Sequence, residues 1–132
     1  MTQANETFDT RGAAQTGSAP TFLVAMEQHE PQAQRIIDDP LAAKIMPGGS
    51  KLFLKLLRIP VLRSWMIKLL EKQIEGASSA FLCRKRYIDG TIVTAVENGS
   101  IIAVVNLGAG YDTRAYRLPA LATVPVWEVD QP

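Results

Sequence analysis

The feature that most constrains this chain is a strand, a glycine turn and a second strand in close succession between Ile101 and Asp130. Ile101-Ile102-Ala103-Val104-Val105 is a continuous apolar run, the pattern of a strand buried on both faces. Gly108-Ala109-Gly110 breaks it, residues 111–121 predict a short helix, and residues 124–129 predict a second strand ending at Asp130. Strand, helix and strand in that order make a βαβ unit. The expected fold is therefore α/β with a parallel sheet.

The same segment concentrates the chemistry. Glycines directly after a buried strand let the backbone turn sharply and approach a ligand without interference from a Cβ. A helix that follows presents free N–H groups to polar or anionic ligand atoms. Asp130 lies twenty residues beyond Gly110, the reach expected of an acid that accepts both hydroxyls of a ribose. The position three beyond Gly110 is Thr113, where a dinucleotide-binding loop carries its third, packing glycine. That substitution argues against a nicotinamide or flavin and for a nucleoside cofactor lacking a pyrophosphate, such as S-adenosyl-L-methionine.

Upstream the pattern is helical. Residues 1–20 are small and polar and read as a flexible leader, without the basic and apolar regions of a secretory signal. Residues 21–46 predict two short helices broken at Pro31 and Pro40, with Asp38 and Asp39 as helix-start residues. Pro47-Gly48-Gly49-Ser50 is a breaker. Residues 51–76 carry apolar side chains at three- and four-residue spacing, with a kink or a junction of two helices expected near Ile59 because of Pro60. The polar face of this stretch is basic, from Lys51 to Lys72. It reads as a solvated cover rather than a stable membrane anchor. Residues 77–98 predict one helix, capped by Ser78 or Ser79 and closed by Asn98-Gly99.

Composition removes several classes of function. Fourteen Lys and Arg against thirteen Asp and Glu leave a net charge of +1, so no basic footprint for a nucleic acid is present. A single cysteine, Cys83, and a single histidine, His29, exclude an internal disulfide and a Cys/His zinc cluster. No apolar run is long enough to span a bilayer. Cys83 reads as a small hydrophobe and His29 as a solvated loop residue; a cytoplasmic protein is expected.

Asn106-Leu107-Gly108-Ala109-Gly110-Tyr111-Asp112-Thr113-Arg114, followed by Glu128-Val129-Asp130-Gln131-Pro132, resembles the leucine carboxyl methyltransferase family. More closely, it resembles the bacterial S-adenosyl-L-methionine-dependent branch that includes polyketide O-methyltransferases of the tetracenomycin type. Ile36-Ile37-Asp38-Asp39-Pro40-Leu41-Ala42 and Arg84-Lys85-Arg86-Tyr87-Ile88-Asp89 agree with it. The resemblance implies a Rossmann-like class I methyltransferase fold, here a helical cover over residues 21–76 plus the first βαβ unit of a cofactor domain over residues 77–132. It implies that Gly108, Ala109 and Gly110 lie against S-adenosyl-L-methionine, that Asp130 takes its ribose hydroxyls and that Arg84 reaches its carboxylate. Arg86 and Asp89 would be structural, and Asp112 and Arg114 would brace the loop. The methyl acceptor would be a small-molecule carboxylate or hydroxyl; no catalytic base is assigned.

The family's fold continues beyond its second strand. The expectation is a truncated chain or fragment, or one whose first strand has an unpaired edge and an exposed apolar face open to self-association. A catalytically inactive remnant or nucleoside-binding module is the alternative function, and a nicotinamide-dependent oxidoreductase a weaker one because of Thr113.

Overall fold

A computed structural model describes residues 10–73 and 76–130. Helix α1 (Thr10–Glu27) leads through a 3-10 turn at Gln32–Gln34 to the short helix α2 (Ala42–Ile45), then α3 (Gly48–Leu56), α4 (Pro60–Gln73) and the long α5 (Ala77–Glu97). Strand β1 (Val104–Leu107), helix α6 (Arg114–Arg117), a 3-10 turn at Pro119–Thr123 and strand β2 (Val126–Val129) complete the order. The two strands pair in parallel, Val104 opposite Val126 and Leu107 opposite Val129. Among the described residues no helix is long and apolar enough to cross a membrane.

The core lies in the helical layer. Val24, Ala25 and Met26 of α1 pack with Ile37, Ala42, Met46, Leu54, Leu57 and Leu82, all buried. Phe22 and Phe53 stack with ring centroids 5.7 Å apart, joining α1 to α3. This packing explains why α1 begins at Thr10, within the stretch read as a leader. Burial fixes its C-terminal half, and extending a helix already nucleated costs little. Residues 1–9 lie outside the described residues.

The chain between α1 and α2 has no ladder of its own and is pinned by side chains at the C-terminal end of α1 and just beyond it. Glu27 Oε1 accepts the Ile36 N–H at 2.6 Å, while Gln28 donates to Ile37 O and accepts the Asp39 N–H, each at 3.1 Å. His29, expected to be solvated, is half-buried and bonds through Nε2 to Leu54 O at 3.0 Å. Burial pushes its pKa below the ordinary histidine value, and Arg58, Arg63 and Arg35 add to this against the opposing pull of the Leu54 carbonyl. A base with a depressed folded pKa contributes fully above about pH 6.5 and loses that contribution as pH falls. His29→Phe is therefore expected to cost about 1 kcal/mol at pH 7.5, and less at pH 5, in urea unfolding.

Pro60 opens α4, and the Ile59 region is a junction of two helices as the sequence indicates. The Gly48-Gly49-Ser50 breaker is instead the first turn of α3. Pro47 is its N-cap and accepts the Lys51 N–H at 3.1 Å, and buried Leu54 and Leu57 secure the helix. No serine caps α5. Gly76 does so in a left-handed conformation (φ 73°), and the Glu71 carboxylate accepts the N–H groups of Gly76 at 2.6 Å and Ser78 at 3.3 Å. The Gly76 bond first, then a bond from the Ser78 side chain and the Ser78 N–H, hold Glu71 below the usual carboxylate range.

Strand β1 begins three residues later than the apolar run suggests. Ile101 N–H is spent on Ala95 O at the end of α5, and pairing starts where Val104 N–H meets Pro125 O at 3.0 Å. Nor is the strand buried on both faces. Val105 and Leu107 of β1 and Trp127 and Val129 of β2 are exposed, at 57%, 75%, 54% and 51%. Register partners in a parallel pair share a face, so these four side chains form one uncovered apolar surface. The expected open face and unpaired edge are thus present among the described residues.

Candidate functional site

A cavity of about 410 Å³ opens where α1, α5 and the loop after β1 converge. Helix α5 contributes Phe81, Arg84, Lys85 and Ile88, whose spacing sets them on one helical face. Pro20, Thr21 and Val24 of α1 form the facing wall, and Gly108, Ala109, Gly110, Tyr111 and Asp112 form the third side. Four of the five candidate residues from the sequence, Arg84, Gly108, Ala109 and Gly110, therefore line one space. Asp130 does not line it, but its Oδ2 accepts the Gly110 N–H, so its carboxylate stands beside the loop.

The glycine loop works differently from the sequence expectation. Gly108 N–H and Ala109 N–H both donate to Val129 O, at 2.7 and 3.3 Å, and Asp112 N–H donates to Ala109 O at 2.8 Å. The expected helix over residues 111–121 is only α6, followed by a 3-10 turn. What the loop offers at Gly108 and Gly110 is backbone free of side chains rather than a row of open donors. Gly108 and Gly110 have φ of 66° and 49°, the left-handed region that side chains disfavour. A Cβ built on Gly108 meets no atom within 4 Å.

The cations around the cavity fall into two groups. Lys85 Nζ pairs with Asp39 at 2.9 Å; Arg114 pairs with Asp89 at 2.7 Å and also with Asp112. Arg84 makes no ion pair among the described residues. Its guanidinium lies 5.6 Å from the Phe81 ring centroid, a cation–π contact that leaves the fork able to meet an anion. Arg86 is structural, donating to Ile36 O at 2.9 Å. Asp112 braces the loop by accepting the Arg114 N–H at 2.9 Å. Cys83 is exposed, not buried.

Sequence reasoning missed the buried charge network behind the loop. Asp39, with 0% exposure, accepts the Thr113 hydroxyl at 2.5 Å and the N–H groups of Leu41 and Ala42, each at 3.2 Å. Arg117 bridges it to Asp89, with Nε 3.3 Å from Asp39 and Nη2 2.5 Å from Asp89. Burial pushes the Asp39 carboxyl up. The Lys85 and Thr113 hydrogen bonds and the charges of Lys85 and Arg117 outweigh it and hold the group below the usual carboxylate range. Asp38-Asp39 was visible as a helix start; that Asp39 also meets Thr113, 74 residues away, had no sequence signal.

The leucine carboxyl methyltransferase profile matches residues 18–132. A Mycobacterium ulcerans (strain Agy99) protein named "Putative S-adenosyl-L-methionine-dependent methyltransferase" is 30% identical over 124 residues, covering 91% of this chain and 40% of its own length. Proteins of the same name from Mycobacterium avium (strain 104) and Mycobacterium marinum (strain ATCC BAA-535 / M) are 31% and 34% identical. Each match covers 91% of this chain, and 40% and 39% of the respective relative. The chain spans about two fifths of the length of the curated relatives it matches. No solved structure matches it significantly. A profile that runs from α1 through β2 takes in every element around the cavity, and the chain belongs to the leucine carboxyl methyltransferase family.

Proposed function

We propose that this chain carries the cofactor loop of an S-adenosyl-L-methionine-dependent methyltransferase that methylates an oxygen of a small molecule, a carboxylate or a hydroxyl. On this reading residues 77–132 begin a Rossmann-like cofactor domain and residues 21–76 form its helical cover. The observation that carries it is the meeting of Gly108, Ala109 and Gly110 with Arg84 around one cavity, Arg84 having no ion partner among the described residues. The family and the names of its relatives supply the cofactor class.

The residues present suit that cofactor. The two glycines of the loop admit a ligand to the backbone itself, Arg84 offers a guanidinium fork to a carboxylate, and Asp130 stands at the end of β2, where a ribose is held in such folds. When bound, the cofactor supplies an activated methyl on a sulfonium. The chain's part is to bind and orient, and positioning of this kind accounts for much of the barrier lowering in a direct displacement.

Calorimetric titration with S-adenosylhomocysteine tests the proposal without a methyl acceptor. The wild-type chain is expected to bind in the micromolar range and Asp130→Ala about tenfold more weakly, roughly 1.4 kcal/mol. Asp130→Asn, which keeps an acceptor for the Gly110 N–H, is expected to fall between them. Absence of binding by a chain folded by circular dichroism would sink the proposal.

A further inference from the structure

We infer that Thr113 and Asp39 are positioning residues for the cofactor loop: the buried Thr113 hydroxyl, held by Asp39, fixes where Gly108–Gly110 stand relative to α5. The inference rests on the cofactor reading above for its ligand, but the contact that motivates it is independent of any ligand.

Thr113 lies three residues beyond Gly110 and is the N-cap of α6, yet no side-chain bond caps the helix from it. Its hydroxyl points instead into the protein. The residue is 1% exposed, donates to Asp39 Oδ2 at 2.5 Å and accepts from Arg117 Nε at 3.1 Å. The same Asp39 oxygen takes Lys85 Nζ at 2.9 Å. Lys85 is the immediate neighbour of Arg84 on α5, and both line the cavity. One buried carboxylate oxygen therefore ties the end of the glycine loop to the helix that carries Arg84, which has no ion pair among the described residues. The other oxygen anchors that carboxylate to the backbone of Leu41 and Ala42.

Geometry of this kind has a purpose beyond stability. A loop whose glycines sit in left-handed conformations has wide backbone freedom, and a site 1 Å out of place loses much of its binding. In a dinucleotide-binding loop, the third glycine secures the loop by close packing. Here a threonine occupies that position and secures it by a hydrogen bond to a buried charge, which is the stronger kind.

The test compares Thr113→Val, which keeps shape and removes the hydroxyl, with Thr113→Ser, which keeps the hydroxyl. Asp39 retains Lys85, Arg117 and two backbone N–H groups in both, so both are expected to fold; Thr113→Ala replaces the valine variant if that one does not. Two readouts are taken on the 132-residue chain: affinity for S-adenosylhomocysteine, and hydrogen exchange of the loop amides of Gly108, Ala109 and Asp112 against α5 amides as reference.

Thr113→Val is expected to bind about tenfold more weakly and to exchange its loop amides about tenfold faster, with α5 unchanged. Thr113→Ser is expected to stay within about twofold of wild type in both. Wild-type exchange in the Val or Ala variant overturns the inference, as does a serine variant as impaired as the valine one. If the wild-type chain binds no S-adenosylhomocysteine, the cofactor reading fails, while the exchange data still decide whether Thr113 holds the loop.

Discussion

Replacing Asp39 with alanine is expected to lower the stability of the chain by about 3–5 kcal/mol, because it strips the counter-charge from two largely buried cations. Lys85 and Arg117 have side chains only 15% and 7% exposed. Arg117 keeps Asp89 at 2.5 Å, but Lys85 has no second carboxylate among the ion pairs described. The substitution also removes the acceptor of the Thr113 O–H and of the Leu41 N–H, at about 1–3 kcal/mol for each group that water cannot reach, while the Ala42 N–H keeps the main-chain carbonyl of residue 39 at 3.2 Å. A loss of this size lowers the thermal midpoint of a chain this long by roughly 10 °C or more. The pH dependence supplies a second check. A carboxylate held below its ordinary pKa stabilises the fold fully above about pH 4, and that contribution disappears as pH falls through the depressed value. Urea unfolding of wild type and Asp39→Ala should therefore differ most at neutral pH and converge in acid. A difference under 1 kcal/mol at pH 7 would mean that the network is solvated in solution.

Local punctuation was legible in the sequence. Pro60 separates α3 from α4, Asn98-Gly99 closes α5 with Gly99 at φ 71°, and the glycine pair follows a strand that pairs in parallel with a second one. Each of these acts through the backbone of a few adjacent residues, so a linear reading reaches it. Where long-range packing decides, the reading fails. Thr10 through Pro20 join a helix because Val24 to Met26 are buried further along, and Gly48 and Gly49 enter a helical turn because Leu54 and Leu57 are buried. His29 leaves solvent because a carbonyl of α3 is within reach. The site divides the same way. The loop and Arg84 could be named from motif and chemistry, whereas the Asp39–Thr113 bond depends on a tertiary approach across 74 residues. Val105 and Leu107 show the converse. Their apolar character foretells burial, and the two-stranded sheet leaves them open.

Gly108→Val is expected to abolish measurable binding of S-adenosylhomocysteine, a loss of at least a hundredfold or about 3 kcal/mol, while the fold survives. A valine there carries a left-handed conformation costing roughly 1–2 kcal/mol. Its side chain meets no protein atom at the Cβ, so the remaining cost falls on whatever occupies the cavity that Gly108 lines. Strain alone could loosen the loop, and Gly99→Val controls for it. Gly99 has nearly the same φ, its Cβ also meets nothing within 4 Å, and it lies at the end of α5 and not among the cavity residues. Both variants should lose comparable stability in thermal melts, and only Gly108→Val should lose the ligand. Were the loop merely a tight turn between strand and helix, the two valines would be indistinguishable in both measurements. Equal stability with a hundredfold difference in affinity, well beyond the tenfold expected when the loop is only loosened, is the result expected if the missing side chain of Gly108 is space that a ligand uses.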